Sequence, residues 1–216
     1  MKIDKSIKEK IDGFSVATLE FSVKVEKNKY LDQLIDKTEN EISNKYTIED
    51  VIKIPNILKA RNAYKAFGKD PSRYRLAVES LYRRLSKGNK LYRINNLVDL
   101  GNILSIKSVK SIAVLDKDKI SGDILVRLGT SSDDYEGIGR GRINIEKIPL
   151  YEDDIGPFGS TTSDTERTMI TKSTKNVLIL IISFNGDTEF EQDIETAKKL
   201  YKDYCNIKDF KVEVFK

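Results

Sequence analysis

The sequence predicts an α+β fold. Helical patterns dominate the first half of the 216-residue chain and strand patterns the second half, an order that is typical of α+β proteins. A chain of this length can bury one continuous hydrophobic core. Because we find no internal repeat, low-complexity tract or linker, we expect one domain over residues 1–216. It would be helix-rich over 1–106 and strand-rich over 107–216.

The first half is predicted to form one strand followed by helices. Residues 14–25 alternate apolar and polar side chains, as in a strand with one exposed face. Residues 31–42 carry apolar side chains at helical spacing. Thr47 begins a segment that resembles a capping box, so we expect a helix from there to Phe67, ended by Gly68.

Two more helices are predicted before the chain changes to strands. Pro71 has the character of a first helical residue, and Gly88 that of a C-terminal stop. The second helix lies in residues 91–104, LYRINNLVDLGNIL, and begins near Asn96. Leucines fall on one side of it and a narrow polar stripe on the other, so it is expected to be mostly buried.

The second half is predicted to consist mainly of strands. The expected strands cover residues 111–115, 124–128, 142–151, 177–184 and 210–215. The polar, glycine-rich residues 131–141 indicate a loop or tight hairpin, and residues 188–204 an amphipathic helix. Because 177–184 is apolar at nearly every position, it is expected to be a central strand covered on both faces.

The composition excludes several classes of function. The chain has no histidine, which excludes Ser-His-Asp and Cys-His catalysis and histidine-ligated metal sites. Its net charge of +4 does not by itself indicate nucleic-acid binding. The single cysteine, Cys205, rules out an internal disulfide, suits a reducing cytosol, and is expected to be packed rather than nucleophilic.

The N-terminus and the longest apolar run bear on localisation. MKIDKSIKEK is charged throughout, unlike a signal peptide. The apolar run at residues 177–182 is far too short for a membrane span. We therefore expect a soluble, cytoplasmic protein.

The first candidate site is the polar stripe of the helix near residue 96. Asn95, Asp99 and Asn102 share one helical face. One interpretation is structural, with Asn96 as the N-cap and Asp99 in the first turn. Asn102 is not explained by capping, because it lies in mid-helix where asparagine is unfavourable. It is therefore the better candidate for a pocket residue.

The second candidate is the segment 156–168, GPFGSTTSDTERT, in which hydroxyl side chains surround Asp164. Backbone amides at Gly156 and Gly159 could form a nest for a carbonyl oxygen or a phosphate. Asp164 could orient a water molecule or hold an ammonium group. The alternative is a solvent-exposed loop whose Ser and Thr side chains make local turn bonds.

The third candidate is a basic run at residues 73–93 with interleaved tyrosines. Its members are Arg73, Arg75, Arg83, Arg84, Lys87, Lys90 and Arg93, with Tyr74, Tyr82 and Tyr92 and the single acid Glu79. This mixture suits phosphate contacts and base stacking. The alternative is an exposed helix face with an Arg75–Glu79–Arg83 ladder, and both interpretations stay open.

Three segments carry a resemblance to a known family. Residues 94–104, INNLVDLGNIL, are similar to INNVVDVTNYV; 116–127, DKDKISGDILVR, to FDLDKLxGxIxVR; and 171–178, TKSTKNVL, to VTEETKNVLL. In this order they resemble the tRNA-editing domain of phenylalanyl-tRNA synthetase beta subunits, the fused third and fourth B domains. Residues 61–68, 70–75 and 79–84 resemble free-standing versions of that domain. The sequence contains no catalytic core, anticodon-binding region or ATP motif of a synthetase.

The resemblance implies layered sheets flanked by helices and a pocket that hydrolyses the ester of a wrongly charged tRNA. Asn102 falls on the family's pocket asparagine and Gly101 on its neighbouring threonine. The segment 156–164 takes the place of the family's glycine-rich loop, although the residues differ.

Two departures from the family pattern affect the pocket. The family's pocket histidine has no counterpart here. Its glutamate that reads a tyrosine hydroxyl aligns with Leu180, which cannot accept that hydrogen bond. An aliphatic or small amino acid is therefore expected in place of tyrosine.

These observations lead to the hypothesis of a trans-acting hydrolase for misacylated tRNA. Its expected catalytic residues are Asp164 and Asn102. Its expected substrate-binding residues are Asp99, Gly101, Gly159, Ser160, Thr161, Thr162, Ser163 and Leu180. Its expected RNA-binding residues are Arg61, Arg73, Tyr74, Arg75, Arg83, Arg84 and Arg93.

The hypothesis requires the helix amide of Asn102 and the hydroxyl-rich turn to converge on one cavity. Mischarged tRNA is the expected partner, with a synthetase as a further one, and neither a cofactor, a metal nor a membrane is expected. Aminoacyl esters are labile, so positioning and charge stabilisation can suffice without histidine. The alternatives are a non-catalytic tRNA-binding or RNA-binding module of the same fold, and a small-molecule ester or amide hydrolase.

Overall fold

The structure, a computed structural model, describes residues 1–25 and 29–216. Its helices are α1 Lys5–Lys8, α2 Lys29–Lys45, α3 Ile48–Val51, α4 Pro55–Phe67, α5 Ala77–Ser86, α6 Asn96–Ser108 and α7 Phe190–Cys205. Its strands are β1 Lys2–Ile3, β2 Ser15–Ser22, β3 Ser111–Asp116, β4 Leu125–Leu128, β5 Glu136–Gly137, β6 Gly141–Arg142, β7 Pro149–Asp153, β8 Gly156–Ser160, β9 Asn176–Ser183 and β10 Lys211–Phe215.

The strands form two four-stranded sheets and a small hairpin. The central sheet has the order β10-β2-β9-β3, the second sheet the order β1-β4-β7-β8, and β5 pairs with β6. Strand β9 lies in the interior of its sheet and all but its first residue are buried, which confirms the prediction of a central strand covered on both faces. The strand β2 from the first half of the chain lies between β9 and β10 from the second half.

The two faces of β9 belong to two hydrophobic cores. Ile179 and Ile181 point toward a core built with the helices α2 to α7. Leu178, Leu180 and Ile182 point toward a core shared with α1, α4 and the second sheet. The layers are therefore helices, central sheet and second sheet, which confirms the predicted α+β fold of layered sheets flanked by helices.

Two predicted helices have different boundaries in the structure. The helix opened by Thr47 ends at Val51, and a new one starts with Pro55, because proline cannot donate the helical hydrogen bond and restricts the residue before it. The helix expected at Pro71 begins only at Ala77. Asp70 closes a local turn there by accepting the N–H of Ser72 at 2.8 Å.

Two predictions in the second half were wrong. Residues 143–148 are not a strand, because Lys147 has a positive φ of 64° and the segment turns there. Residues 156–160 are strand β8 rather than a loop, paired with β7. The predicted hairpin within 131–141 is confirmed as β5–β6.

Among the residues that the structure describes, no helix combines the length and apolar character that a membrane span requires.

Candidate functional site

The polar stripe of α6 serves mainly to begin the helix. Asn95, not Asn96 as predicted, is the N-cap, and its Oδ1 accepts the N–H groups of Leu97 at 3.1 Å and Val98 at 3.0 Å. The side chain of Asp99 accepts the N–H of Ile94 at 2.9 Å. Burial raises the pKa of Asp99, an effect that the Ile94 N–H opposes. The polar atoms of Asn95 and Asp99 therefore have structural partners.

Gly101 and Leu180 lie on opposite faces of the central sheet. A Cβ at Gly101 would lie 2.4 Å from Cγ2 of Val114 in β3, and Val114 pairs in register with Ile179. Leu180 pairs with Ala113 and belongs to the other core. These two predicted substrate-binding residues therefore cannot line one pocket. Leu180 also has no exposed surface, so it does not face a substrate, and tyrosine is not excluded as the substrate amino acid.

Gly101 is expected to tolerate no side chain. Gly101→Ala adds helix propensity worth about 1 kcal/mol, but its methyl group collides with the stiff side chain of Val114. We expect a net destabilisation of about 1–3 kcal/mol, measured by urea denaturation. Adding Val114→Ala should recover part of the loss, whereas an unchanged Gly101→Ala stability would show that α6 can move away from β3.

Asn102 is half-buried on α6. That helix packs on α2, α5, α7 and β3. In the described part of the chain, no hydrogen bond or cavity connects Asn102 with the segment 160–164. The structure thus gives no support for the predicted convergence of Asn102 with the hydroxyl-rich turn.

The predicted amide nest at Gly156 is already occupied by a carboxylate. Oδ1 of Asp153 accepts the N–H groups of Ile155 at 3.0 Å and Gly156 at 3.2 Å. Arg167 donates to the same carboxylate at 2.8 Å and to the carbonyl of Gly156 at 3.0 Å. This arrangement is a structural clasp at the start of β8.

The hydroxyl turn, residues 160–163, is tied together from inside. The hydroxyl of Ser160 accepts the N–H of Ser163 at 3.1 Å and donates to its carbonyl at 2.7 Å. The fully buried Thr161 accepts the N–H of Ala77 at its carbonyl, 2.9 Å away. The hydroxyl of Tyr64 contacts Oγ1 of Thr161 at 2.5 Å and Oγ1 of Thr162 at 3.0 Å. The turn is therefore rigid and anchored to α4 and α5.

Asp164 follows this turn and lies over Gly159. A Cβ at Gly159 would lie 2.7 Å from Oδ1 of Asp164 and 2.8 Å from the ring of Tyr151, so only glycine leaves room for the carboxylate. Burial raises the pKa of Asp164 to about 7, and a hydrogen bond from the Ser160 N–H opposes the shift only in part. Tyr135 completes the surroundings, with its hydroxyl donating to the carbonyl of Ser163 at 2.5 Å.

The environment of Asp164 differs from that of the ion-paired carboxylates. Hydrogen bonds from Arg127 lower the pKa of Asp133 to about 2. Burial first, and the charge of Asp164 second, raise the pKa values of Tyr135 and Tyr151. Among the described residues no arginine or lysine forms an ion pair with Asp164. A carboxylate with a raised pKa and no counter-ion is a candidate general base.

A cavity of about 300 Å³, which we name the arginine pocket, opens beside the hydroxyl turn. It is lined by Arg73, Tyr74, Arg75, Arg140, Arg142, Ile143, Asn144 and Thr162. The structure thus brings together predicted residues from the basic run with Thr162 of the turn. Arg140 and Arg142 were not among the predicted RNA-binding residues, although the glycine-flanked arginines of the GRGR segment indicate a hairpin that presents them.

The remaining predicted RNA-binding arginines have protein partners. Both oxygens of the fully buried Glu79 accept from Arg61 at 2.9 Å, and Arg83 lies 3.8 Å away. The predicted ladder was therefore wrong at Arg75, whose place Arg61 takes. Arg84 lies over the ring of Tyr92 at 4.0 Å.

Arg93 is also committed to acidic side chains. It forms ion pairs with Asp36 at 2.9 Å and Glu39 at 2.8 Å. The basic run thus divides into an ion-paired part and the two arginines, Arg73 and Arg75, that reach the arginine pocket. In the described ranges, no cluster of three or more Asp, Glu or Cys side chains is arranged to hold a metal ion.

Comparison with known proteins decides the family. Residues 59–201 match the B3/4 domain family, and this match covers more than half of the chain. The chain belongs to the B3/4 domain family. This confirms the resemblance to the fused third and fourth B domains. No curated protein matches the sequence.

A solved structure supports the fold of this B3/4 domain protein. This protein is similar to the solved structure of an N-terminal fragment of the phenylalanyl-tRNA synthetase beta-subunit from Pyrococcus horikoshii, with a TM-score of 0.50 and 13% identity. The match covers 99% of this chain and 49% of that one, so this chain spans about half the length of the synthetase fragment. At this identity the likeness concerns the fold alone.

Proposed function

We propose that this B3/4 domain protein hydrolyses the ester of misacylated aminoacyl-tRNA in trans. The observation that carries the proposal is the position of Thr162. It lines the arginine pocket and lies two residues before Asp164. A candidate site for RNA phosphates and the carboxylate with the raised pKa are thereby two residues apart in the chain. The synthetase beta-subunit named above supports tRNA as the substrate.

In this proposal Asp164 acts as the general base. Its ionised carboxylate takes a proton from water as the water oxygen bonds to the ester carbonyl carbon. The tetrahedral intermediate then breaks the bond to the terminal ribose oxygen, which receives the proton from Asp164. The products are a free amino acid and an uncharged tRNA. General-base catalysis contributes about 10²–10⁴-fold to such a rate. An enhancement of this size suffices because the aminoacyl ester is already labile.

The test is a panel of tRNAs charged with incorrect amino acids, tyrosine included. We expect the protein to accelerate deacylation of at least one member, and the Asn102→Ala variant to keep that activity because Asn102 lies outside the proposed site. Loss of activity in Asn102→Ala with unchanged folding would move the site to α6. Absence of acceleration for every member would overturn the proposal.

A second candidate function is a non-catalytic RNA-binding module. The observation that favours it is the internal hydrogen bonding of the hydroxyl turn, which commits Ser160 and Thr161 to protein partners. Such a module would bind tRNA through the arginine pocket and show no turnover to lose. Uncharged-tRNA binding combined with inactivity across the panel would identify it.

A further inference from the structure

We infer that the arginine pocket binds the phosphates and a base of single-stranded RNA, with Tyr74 as the stacking surface. The inference rests on the proposed function in naming tRNA as the source of that strand. It goes beyond it by assigning a binding site and a preference for an unpaired end. Its test uses uncharged RNA and does not require hydrolysis.

The first observation that supports RNA binding is positive charge in the arginine pocket that acidic side chains leave largely unpaired. Within the described residues, Arg73 and Arg75 have no acidic partner, while the carbonyl of Thr162 accepts from Arg140 at 3.5 Å. Arg142 pairs with Asp134 at 3.1 Å, and both side chains are about four-fifths exposed. By contrast, Arg61 forms an ion pair with Glu79 at 2.9 Å and Arg93 one with Glu39 at 2.8 Å. Four guanidinium groups around one cavity repel each other, and bound phosphates would relieve that repulsion.

The buried Lys69 adds to this positive potential. Its Nζ lies 3.8 Å from the ring centre of Tyr74. Burial lowers the pKa of Lys69, and the nearby positive charges of Lys147 and Arg73 act in the same direction, while Glu146 opposes them. The pocket therefore has a positive wall behind its aromatic residue, as in proteins that stack bases beside a phosphate track.

The second support is a polar group held in position to meet a base. Lys69 donates to the carbonyl of Asn144 at 2.8 Å and to its Oδ1 at 3.1 Å, and the Glu146 N–H donates to the same Oδ1 at 3.0 Å. These bonds fix the amide orientation. In the described part of the chain its Nδ2 has no protein acceptor. A base carbonyl or ring nitrogen fits that donor, and in a duplex the Watson–Crick edges of the bases are already paired.

The third support is the connection between the pocket and Asp164. Gly139 and Gly141 have φ values of 64° and 65°, which lets the β5–β6 hairpin turn tightly around Arg140. The N–H of Ile138 in this hairpin donates to the carbonyl of Asp164 at 2.9 Å. The hairpin that carries Arg140 is therefore bonded to the backbone of the proposed reacting residue.

The experiment measures fluorescence anisotropy of a labelled eight-nucleotide single strand ending in CCA, and of a blunt duplex with the same sequence. The variant is Arg140→Gln/Arg142→Gln. The matched control is Lys172→Gln/Lys175→Gln, which removes two exposed charges away from the pocket. We expect the pocket variant to bind the single strand at least about tenfold more weakly, with its salt dependence reduced by about 0.7 per arginine. The control should bind like the wild type.

A further variant separates stacking from charge. Tyr74→Leu is expected to weaken single-strand binding by about fivefold or more and to leave the salt dependence unchanged. Circular dichroism checks that each variant is folded. Equal binding by the pocket variant and the wild type, or equal affinity for duplex and single strand, would overturn the inference. Arginine-dependent RNA binding without deacylation would support the arginine pocket and overturn only the proposed hydrolase activity. Deacylation that survives Arg140→Gln/Arg142→Gln with an unchanged KM would support the hydrolase activity and overturn the arginine pocket as an RNA-binding site.

Discussion

Asp164→Asn is expected to slow the deacylation of mischarged tRNA by about 10²–10⁴-fold while leaving the binding of uncharged tRNA intact. Asparagine keeps the size of the side chain over Gly159 and can still accept the Ser160 N–H. It cannot take up a proton from water. Single-turnover deacylation measures the rate, and anisotropy measures the binding.

The matched control is Asp209→Asn, which changes an exposed aspartate. It should keep both rate and affinity. Wild-type turnover in Asp164→Asn would show that another group, or the tRNA itself, moves the proton. The catalysed rate of the wild type, after subtraction of spontaneous hydrolysis, should rise as the pH increases through about 7, because only the ionised carboxylate is a base.

Asp164→Asn also tests how this carboxyl makes the stability of the protein depend on pH. Asp164 has a pKa of about 7 in the folded protein against 3.8 ordinarily, so the folded state holds the proton more tightly than the unfolded state. Its contribution to stability is complete below about pH 4 and is lost as the pH rises to about 7. Between pH 5 and pH 8 the free energy of unfolding, measured with urea, should fall more for the wild type than for Asp164→Asn, by up to about 2–3 kcal/mol.

Arg61→Ala is expected to lower the free energy of unfolding by about 3–5 kcal/mol. Its guanidinium is the main partner of Glu79, whose side chain is completely buried. Without it, the carboxylate keeps only the more distant Arg83 at 3.8 Å. An uncompensated buried charge is among the most destabilising changes a protein can suffer. Urea denaturation measures the loss.

Lys65→Ala is the control for Arg61→Ala, since Lys65 lies one turn later on α4 and is exposed. It should change stability by less than about 0.5 kcal/mol. The double variant Arg61→Leu/Glu79→Leu should regain much of the loss, because it removes both charges. A loss below about 1 kcal/mol in Arg61→Ala would mean that Arg83 moves in to replace Arg61. Because Arg61→Ala is expected to lower stability, any loss of RNA binding by this variant must be compared with the fraction of the protein that is folded.

The elements with strong periodicity were predictable from the sequence. Strand β9 is apolar from Val177 to Ile182 and α7 is amphipathic over its length, so the predicted bounds of both lie within about two residues of the observed ones. The start of α5 was not predictable in the same way, because the Asp70 side chain stabilises a turn where proline suggests a helix. Residues 143–148 alternate like a strand, yet Ile145 and Ile148 reach the core from an irregular segment.

The candidate site was predictable only where its residues are neighbours in sequence. Arg73, Tyr74 and Arg75 are consecutive, and the hydroxyl turn directly precedes Asp164, so both groups were predictable from the sequence. Their meeting with Arg140 depends on how the β5–β6 hairpin folds over the turn. Likewise the partner of Glu79 is 18 positions away on another helix, and helical spacing alone favoured Arg75.

The position of β2 has a consequence for how the protein is made. Ser22 and Asn176, the pair in the β2–β9 ladder with the shortest sequence separation, are 154 positions apart. While the ribosome synthesises the helices α2 to α6, strand β9 has not yet been made, so the apolar faces of these helices have no central sheet to pack against. Closing so long a stretch of chain is slow, and exposed apolar surface invites aggregation during that interval. Newly made chains should therefore depend on chaperones until β9 has emerged.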